Sequence, residues 1–83
     1  MKVTVRYFAA LREALGTEES VQLASGSTLA ALREQLIAVS PRHAEALRHG
    51  RSLRCALNQA LADESVVLED GAEVAFFPPV TGG

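Results

Sequence analysis

The residues of this chain best placed to do chemistry are its last ones. After Phe77 the sequence reads Pro78-Pro79-Val80-Thr81-Gly82-Gly83. Two successive prolines have no N–H to donate and cannot continue a central strand. They favour the stiff polyproline conformation, so six residues at ~3.3 Å each reach roughly 20 Å from whatever precedes them. Gly82 and Gly83 lack a Cβ, fit a channel too narrow for other residues and leave the terminal carbonyl unhindered. A free terminal carboxylate, with a pKa of about 3.5, is ionised at neutral pH and is a poor electrophile. A partner that spends ATP converts it to an acyl-adenylate, which a sulfur or nitrogen nucleophile attacks. The competing reading is a frayed, inert end. At ~7% glycine a terminal Gly-Gly arises by chance in roughly one chain in 200. With Pro-Pro and an aromatic strand before it, the functional tail is the better reading.

The side chains that invite a chemical role read differently. Cys55 shares a strand face with Leu53 and Leu57, alternating with Arg54 and Ala56, which points it into a core, where a thiol is raised in pKa and inert. As the one cysteine it forms no internal disulfide. His43 and His49 are six apart, about 240° around a helix, and cannot grip one metal together. They are read as surface histidines. Two histidines and one thiol do not make a structural zinc site, and no metal is expected.

The elements that must hold the tail follow from periodicity. Residues 2–8 alternate, with Val3, Val5 and Tyr7 on one side and Thr4, Arg6 and Phe8 on the other, which predicts a strand. Residues 9–15 predict a short helix, with Gly16 to end it. Glu19 to Leu23 alternates again. Ser27 or Thr28 caps a helix whose Leu29, Leu32, Leu36 and Val39 form a single apolar stripe. Pro41 stops that helix, and Ser40-Pro41 suits the start of a second short one ending by Gly50. Leu53 to Leu57 predicts a strand, Asn58-Gln59 a turn, and the residues around Leu61 a brief pairing segment. Asp70-Gly71 turns into a last strand, Glu73 to Phe77.

Strands outnumber helices without alternating regularly with them, which excludes a doubly wound sheet. The expected class is α+β, one mixed sheet with the helices packed on a single face. The whole chain is expected to be one domain, residues 1–77 globular and 78–83 an extended tail. If Val74 and Phe76 face the helices, then Phe8 and Phe77 emerge on the uncovered face beside the root of the tail. Two exposed aromatics there predict a docking patch, which Leu61 joins if its phase after the turn allows. The alternative is a loop covering them.

Composition narrows the partners. With 48% hydrophobic and 22% charged residues the chain is an ordinary globular domain. No stretch approaches the ~20 apolar residues that span a bilayer. Charges interrupt the N-terminus before a signal-peptide core could form. A cytoplasmic protein with no membrane partner is expected. The net charge of −2 hides an asymmetry: Arg42, Arg48, Arg51 and Arg54 crowd one stretch, while Asp63, Glu64, Glu69, Asp70 and Glu73 follow with no further cation. The acidic segment reads as a solvated loop or, more sharply, as a surface for a basic partner. Nucleic acid is not expected, since no basic face is interleaved with aromatics.

Residues 73–83, Glu-Val-Ala-Phe-Phe-Pro-Pro-Val-Thr-Gly-Gly, resemble the C-terminus of the small subunits of molybdopterin synthase. Val3-Thr4-Val5-Arg6-Tyr7-Phe8-Ala9 is similar to that family's first strand, and Leu57-Asn58-Gln59 to its mid-chain turn. The resemblance covers the whole chain. It implies a ubiquitin-like β-grasp whose first and last strands are parallel and central. It also implies that an E1-like enzyme, using ATP, adenylates the Gly83 carboxylate, which is then sulfurated to a thiocarboxylate. The tail would enter the active site of the large synthase subunit. There it would donate sulfur to a cyclic pyranopterin monophosphate, forming the dithiolene that holds molybdenum. On this reading the catalytic side chains belong to the partners, and this chain is non-catalytic and binds no cofactor. A ubiquitin-like protein modifier joined through Gly83 to lysines is a second reading. A sulfur carrier of thiamine synthesis is a third, opposed by the helix between the first two strands and by the Phe-Phe-Pro-Pro run. A pure interaction domain with an inert tail comes last.

Overall fold

The computed structural model describes residues 1–50 and 52–79. The chain opens with β1 (Lys2–Tyr7), whose Val3, Val5 and Tyr7 are buried as the alternation requires. Ala9 takes a left-handed φ of 54°, which breaks the strand before the short helix α1 (Ala10–Leu15). Gly16, at φ 93°, closes α1 and returns the chain to β2 (Glu18–Gln22).

Helix α2 (Leu29–Ile37) starts at Thr28, whose Oγ1 accepts from the Ala31 N–H at 3.1 Å. A helix leaves its first N–H groups without partners inside the helix. Here the Leu29 N–H donates to Val66 O at 3.0 Å and the Ala30 N–H to Glu64 O at 2.8 Å. The long loop before the last strand is thereby pinned to the start of α2. Leu29, Leu32 and Leu36 are fully buried, but Val39 lies beyond the last helical turn and is 56% exposed. The apolar stripe thus ends at Leu36, one member earlier than the spacing suggests, because the chain is already leaving the helix ahead of Pro41. Helix α3 (Pro41–Leu47) uses Ser40 as its cap, the hydroxyl accepting from the His43 N–H at 3.1 Å.

The chain then forms β3 (Arg54–Leu57), β4 (Ala60–Leu61) and β5 (Glu73–Phe77). Asn58 and Gln59, at φ 49° and 71°, supply the consecutive left-handed residues of a two-residue hairpin turn. Leu57 faces Ala60 across it. The sheet order is β2-β1-β5-β3-β4. β1 and β5 run parallel, with Val5 opposite Val74 and Tyr7 opposite Phe76, and the other neighbours are antiparallel. This is one mixed sheet with its helices on one side: Leu11, Leu29, Leu32, Leu36 and Leu47 share a core with Val3, Val5, Tyr7, Val74 and Phe76. The rings of Tyr7 and Phe76 stack at its centre with centroids 6.5 Å apart.

Two buried polar arrangements were not legible in the pattern. Arg33 sits in the middle of α2 and is only 4% exposed. Its Nε donates to Leu47 O at 2.7 Å, one terminal nitrogen to Arg48 O at 2.7 Å and the other to Glu64 Oε2 at 2.6 Å. One guanidinium therefore ties α2 to the end of α3 and to the long loop. Secondly, Glu19 Oε2 accepts from the Tyr7 hydroxyl at 2.7 Å and lies 2.8 Å from His43 Nε2. His43 Nδ1 meets Ser40 Oγ at 2.8 Å. Burial, with the Glu19 carboxylate beside it, holds the Tyr7 phenol far above its usual range, so it remains a donor. The surface placement expected for His43 is therefore corrected: its side chain is 14% exposed and bridges α3 to β2. His49 is exposed, as expected, and contacts Glu34.

Candidate functional site

β5 lies between β1 and β3 and carries the tail. Its alternation sends Val74 and Phe76 into the core and leaves Glu73, Ala75 and Phe77 half-exposed on the other face. Paired residues of neighbouring strands point the same way. Arg6 and Ala56 therefore flank Ala75, and Arg54 flanks Phe77. Leu61 faces Ala56, which settles its phase on this same side. Phe8 is held at the edge of the patch by its N–H, which donates to Phe76 O at 3.2 Å.

Phe8, Leu61 and Phe77, the three residues singled out from sequence, line one open groove together with Ala56, Ala75, Arg6, Gln59 and Glu73. Phe8 is 40% and Leu61 67% exposed, and no loop covers the three among the described residues. The spacing reading passed over Ala56 and Ala75, although both keep the phase of the face. Small residues there form the floor between the larger side chains.

The Arg6 guanidinium stands 5.6 Å over the Phe8 ring and within 3.8 Å of Glu18 and 3.9 Å of Glu73. At those separations the contacts are ion pairs rather than hydrogen bonds. Of the five acids from Asp63 onward, Glu64 is held by Arg33, Asp70 accepts from the Lys2 N–H at 2.8 Å, and Glu73 lies beside Arg6. Much of the acidic segment is therefore engaged within the domain.

At the end of β5, Pro78 and Pro79 leave regular strand structure and are half-buried. Val80, Thr81, Gly82 and Gly83, the remainder of the expected tail, lie outside the described residues. Cys55 faces the core at 7% exposure, and its Sγ donates to Ala62 O at 3.3 Å. Burial, and secondly the Glu64 carboxylate, push its thiol up, away from the nucleophilic thiolate. A serine hydroxyl could use the same Ala62 carbonyl, so Cys55→Ser is expected to cost no more than about 1 kcal/mol. Urea denaturation measures this, and a loss above about 3 kcal/mol would show that the sulfur's packing dominates. Among the described residues no group of three or more histidines, cysteines or carboxylates is placed to hold a metal. Among the same residues no helix is long and apolar enough to cross a membrane.

The ThiS family model matches residues 5–83. The molybdopterin synthase sulfur carrier subunit of Escherichia coli (strain K12) is 47% identical over 81 residues, covering 98% of this chain and 99% of that protein. The corresponding subunit of Mycobacterium tuberculosis is 41% identical over 85 residues, covering 100% of this chain and 99% of the relative. Among solved structures, the complex of subunits 1 and 2 of the molybdopterin-converting factor from Helicobacter pylori contains a chain that is 30% identical. It matches with a TM-score of 0.69 and full coverage of both chains. By these alignments, and by a β-grasp sheet that delivers its last strand to a Pro-Pro tail, the chain belongs to the ThiS family.

Proposed function

We propose that this chain is the sulfur-carrier small subunit of a molybdopterin synthase and that it acts in the cytoplasm. An E1-like enzyme activates the Gly83 carboxylate with ATP, releasing pyrophosphate and leaving an acyl-adenylate. A sulfur nucleophile displaces AMP, and the product is a thiocarboxylate. The open groove then docks on the large subunit, and the tail carries the sulfur to cyclic pyranopterin monophosphate, where the dithiolene is built. No side chain of this domain takes part in the chemistry, and the chain itself is not the catalyst.

One observation carries the reading beyond the likeness to named sulfur carriers. β5 is gripped by strands on both sides and passes directly into Pro78-Pro79 next to an uncovered apolar groove. Docking that groove aims whatever follows the prolines. Val80 to Gly83 span about 13 Å when extended, and the two prolines reduce the entropy lost in ordering them.

Intact mass of the protein purified from its own cell tests the carriage of sulfur. A fraction bearing one oxygen-to-sulfur replacement, located at Gly83 by fragmentation, is the expected result. Its absence under conditions of active cofactor synthesis would contradict the reading. For the groove, Phe77→Lys is expected to raise the Kd for the large subunit more than tenfold in calorimetry, because a docked ring contributes roughly 2 kcal/mol or more. Its melting temperature should stay within a few degrees of wild type, since the core side of β5 is carried by Val74 and Phe76.

A further inference from the structure

Two arginines flank the apolar groove, and they are used differently. Arg6 is committed within the domain, to Glu18, to Glu73 and to the face of Phe8. Arg54 opens β3, is the register partner of Phe77 and is exposed. Among the described residues no hydrogen bond or ion pair engages its side chain, although Asp63 lines the same neighbouring depression. A guanidinium is a rigid fork of donors, weakly hydrated for a cation and shaped for a carboxylate. Here one stands free beside the aromatic at the root of the tail, on a domain whose net charge is −2.

We propose, on the footing of the docking reading above, that Arg54 is a specificity-determining residue of that interface. It pairs with a carboxylate on the large subunit as Phe77 is buried. The apolar groove supplies area but little orientation, since hydrophobic contact is non-directional. A charge pair at one end of the groove breaks that symmetry and fixes which way the tail points. An exposed rim charge also acts before contact, by steering the encounter, so its effect falls mainly on the association rate and is screened by salt. A partner presenting a cation at this position would be repelled by Arg54, which separates the cognate surface from other apolar surfaces.

The test uses the full chain and the large subunit from the same cell, with Kd and association rate measured at low and high salt. Arg54→Glu is expected to raise Kd at least tenfold at low salt, mainly through slower association. Arg54→Lys, which keeps the charge, should stay within about threefold of wild type. The wild-type Kd should rise with salt, and the gap between wild type and Arg54→Glu should close. Because the Arg54 side chain has no hydrogen-bond or ion-pair partner among the described residues, all variants should keep their circular dichroism and melting temperature. A Kd for Arg54→Glu within threefold of wild type, with Phe77→Lys still weakened, would overturn this proposal and leave the docking reading standing. Failure of the wild-type chain to bind the large subunit at all would overturn both. Self-association of the carrier that Arg54→Glu abolishes, with binding to the large subunit unchanged, would make a second copy the occupant and would also overturn it.

Discussion

Removal of Gly83 is expected to abolish sulfur transfer while leaving the thermal unfolding of the domain nearly unchanged. The two halves of this expectation have separate physical causes. Among the described residues every buried core residue lies between Val3 and Phe76, and the truncation leaves all of them in place. The chemistry depends on where the terminal carbonyl sits. Loss of one extended residue withdraws it by about 3.3 Å, and a misplacement of ~1 Å from the productive geometry already costs on the order of 10²-fold in rate. The new terminus, Gly82, is chemically equivalent, so a residual rate would come only from a tail that can be pulled further into the partner. A reconstituted assay with the activating enzyme and the large subunit, paired with intact mass of the truncated chain, measures both steps. Loading without transfer would place the constraint in the synthase, and loss of loading would place it in the activating enzyme. Full transfer by the truncated chain would end the carrier reading.

The second large effect concerns stability. Arg33→Met is expected to destabilise the domain by about 3 kcal/mol. Methionine replaces the aliphatic stem but none of the donors. Leu47 O and Arg48 O would lose their bonds to the guanidinium, each a charge-assisted contact, and Glu64 would lose its counter-ion. Unmet buried acceptors cost ~1–3 kcal/mol each and breaking a buried pair ~3–5 kcal/mol. Glu64 is about a third exposed and rehydrates in part, and one guanidinium makes all three contacts, so these costs overlap and the total falls at the low end of the buried-pair figure rather than at their sum. Glu64→Gln should cost less, about 1 kcal/mol, because the amide oxygen can still accept from the guanidinium and the two carbonyl contacts remain. Urea denaturation of both variants decides the matter. A loss below ~0.5 kcal/mol for Arg33→Met would mean that water replaces the guanidinium at little cost.

The contrast between Arg33 and the tail shows where sequence reading succeeds. Strand phase is a local property: once Val74 and Phe76 face the helices, Phe77 must emerge on the other side, and the same rule places Phe8 beyond Tyr7. Thr28 and Ser40 as caps, Gly16 as a stop and Asn58-Gln59 as a turn are equally local, each fixed by the backbone conformation its neighbours require. Leu61 was ambiguous because a two-residue turn leaves the phase of the following strand open until its partner is known, and pairing with Ala56 resolved it.

By itself, then, the order of residues determined the elements, the two faces of the sheet and the presence of a Pro-Pro-led Gly-Gly end, because these depend on contacts between near neighbours in the chain. Only the tertiary structure decided that Arg33 is a buried clamp, that His43 is bound to Glu19 rather than solvated, and that Arg54 stands uncommitted beside Phe77 while Arg6 does not. For Arg33 and His43 the fate of the polar side chain is set by a partner 14 or more positions away, Leu47 for Arg33 and Glu19 for His43. A charged residue at a core-phase helical position looks like an error in the pattern until the fold brings it a carboxylate and two carbonyls, and desolvation then turns the error into a constraint.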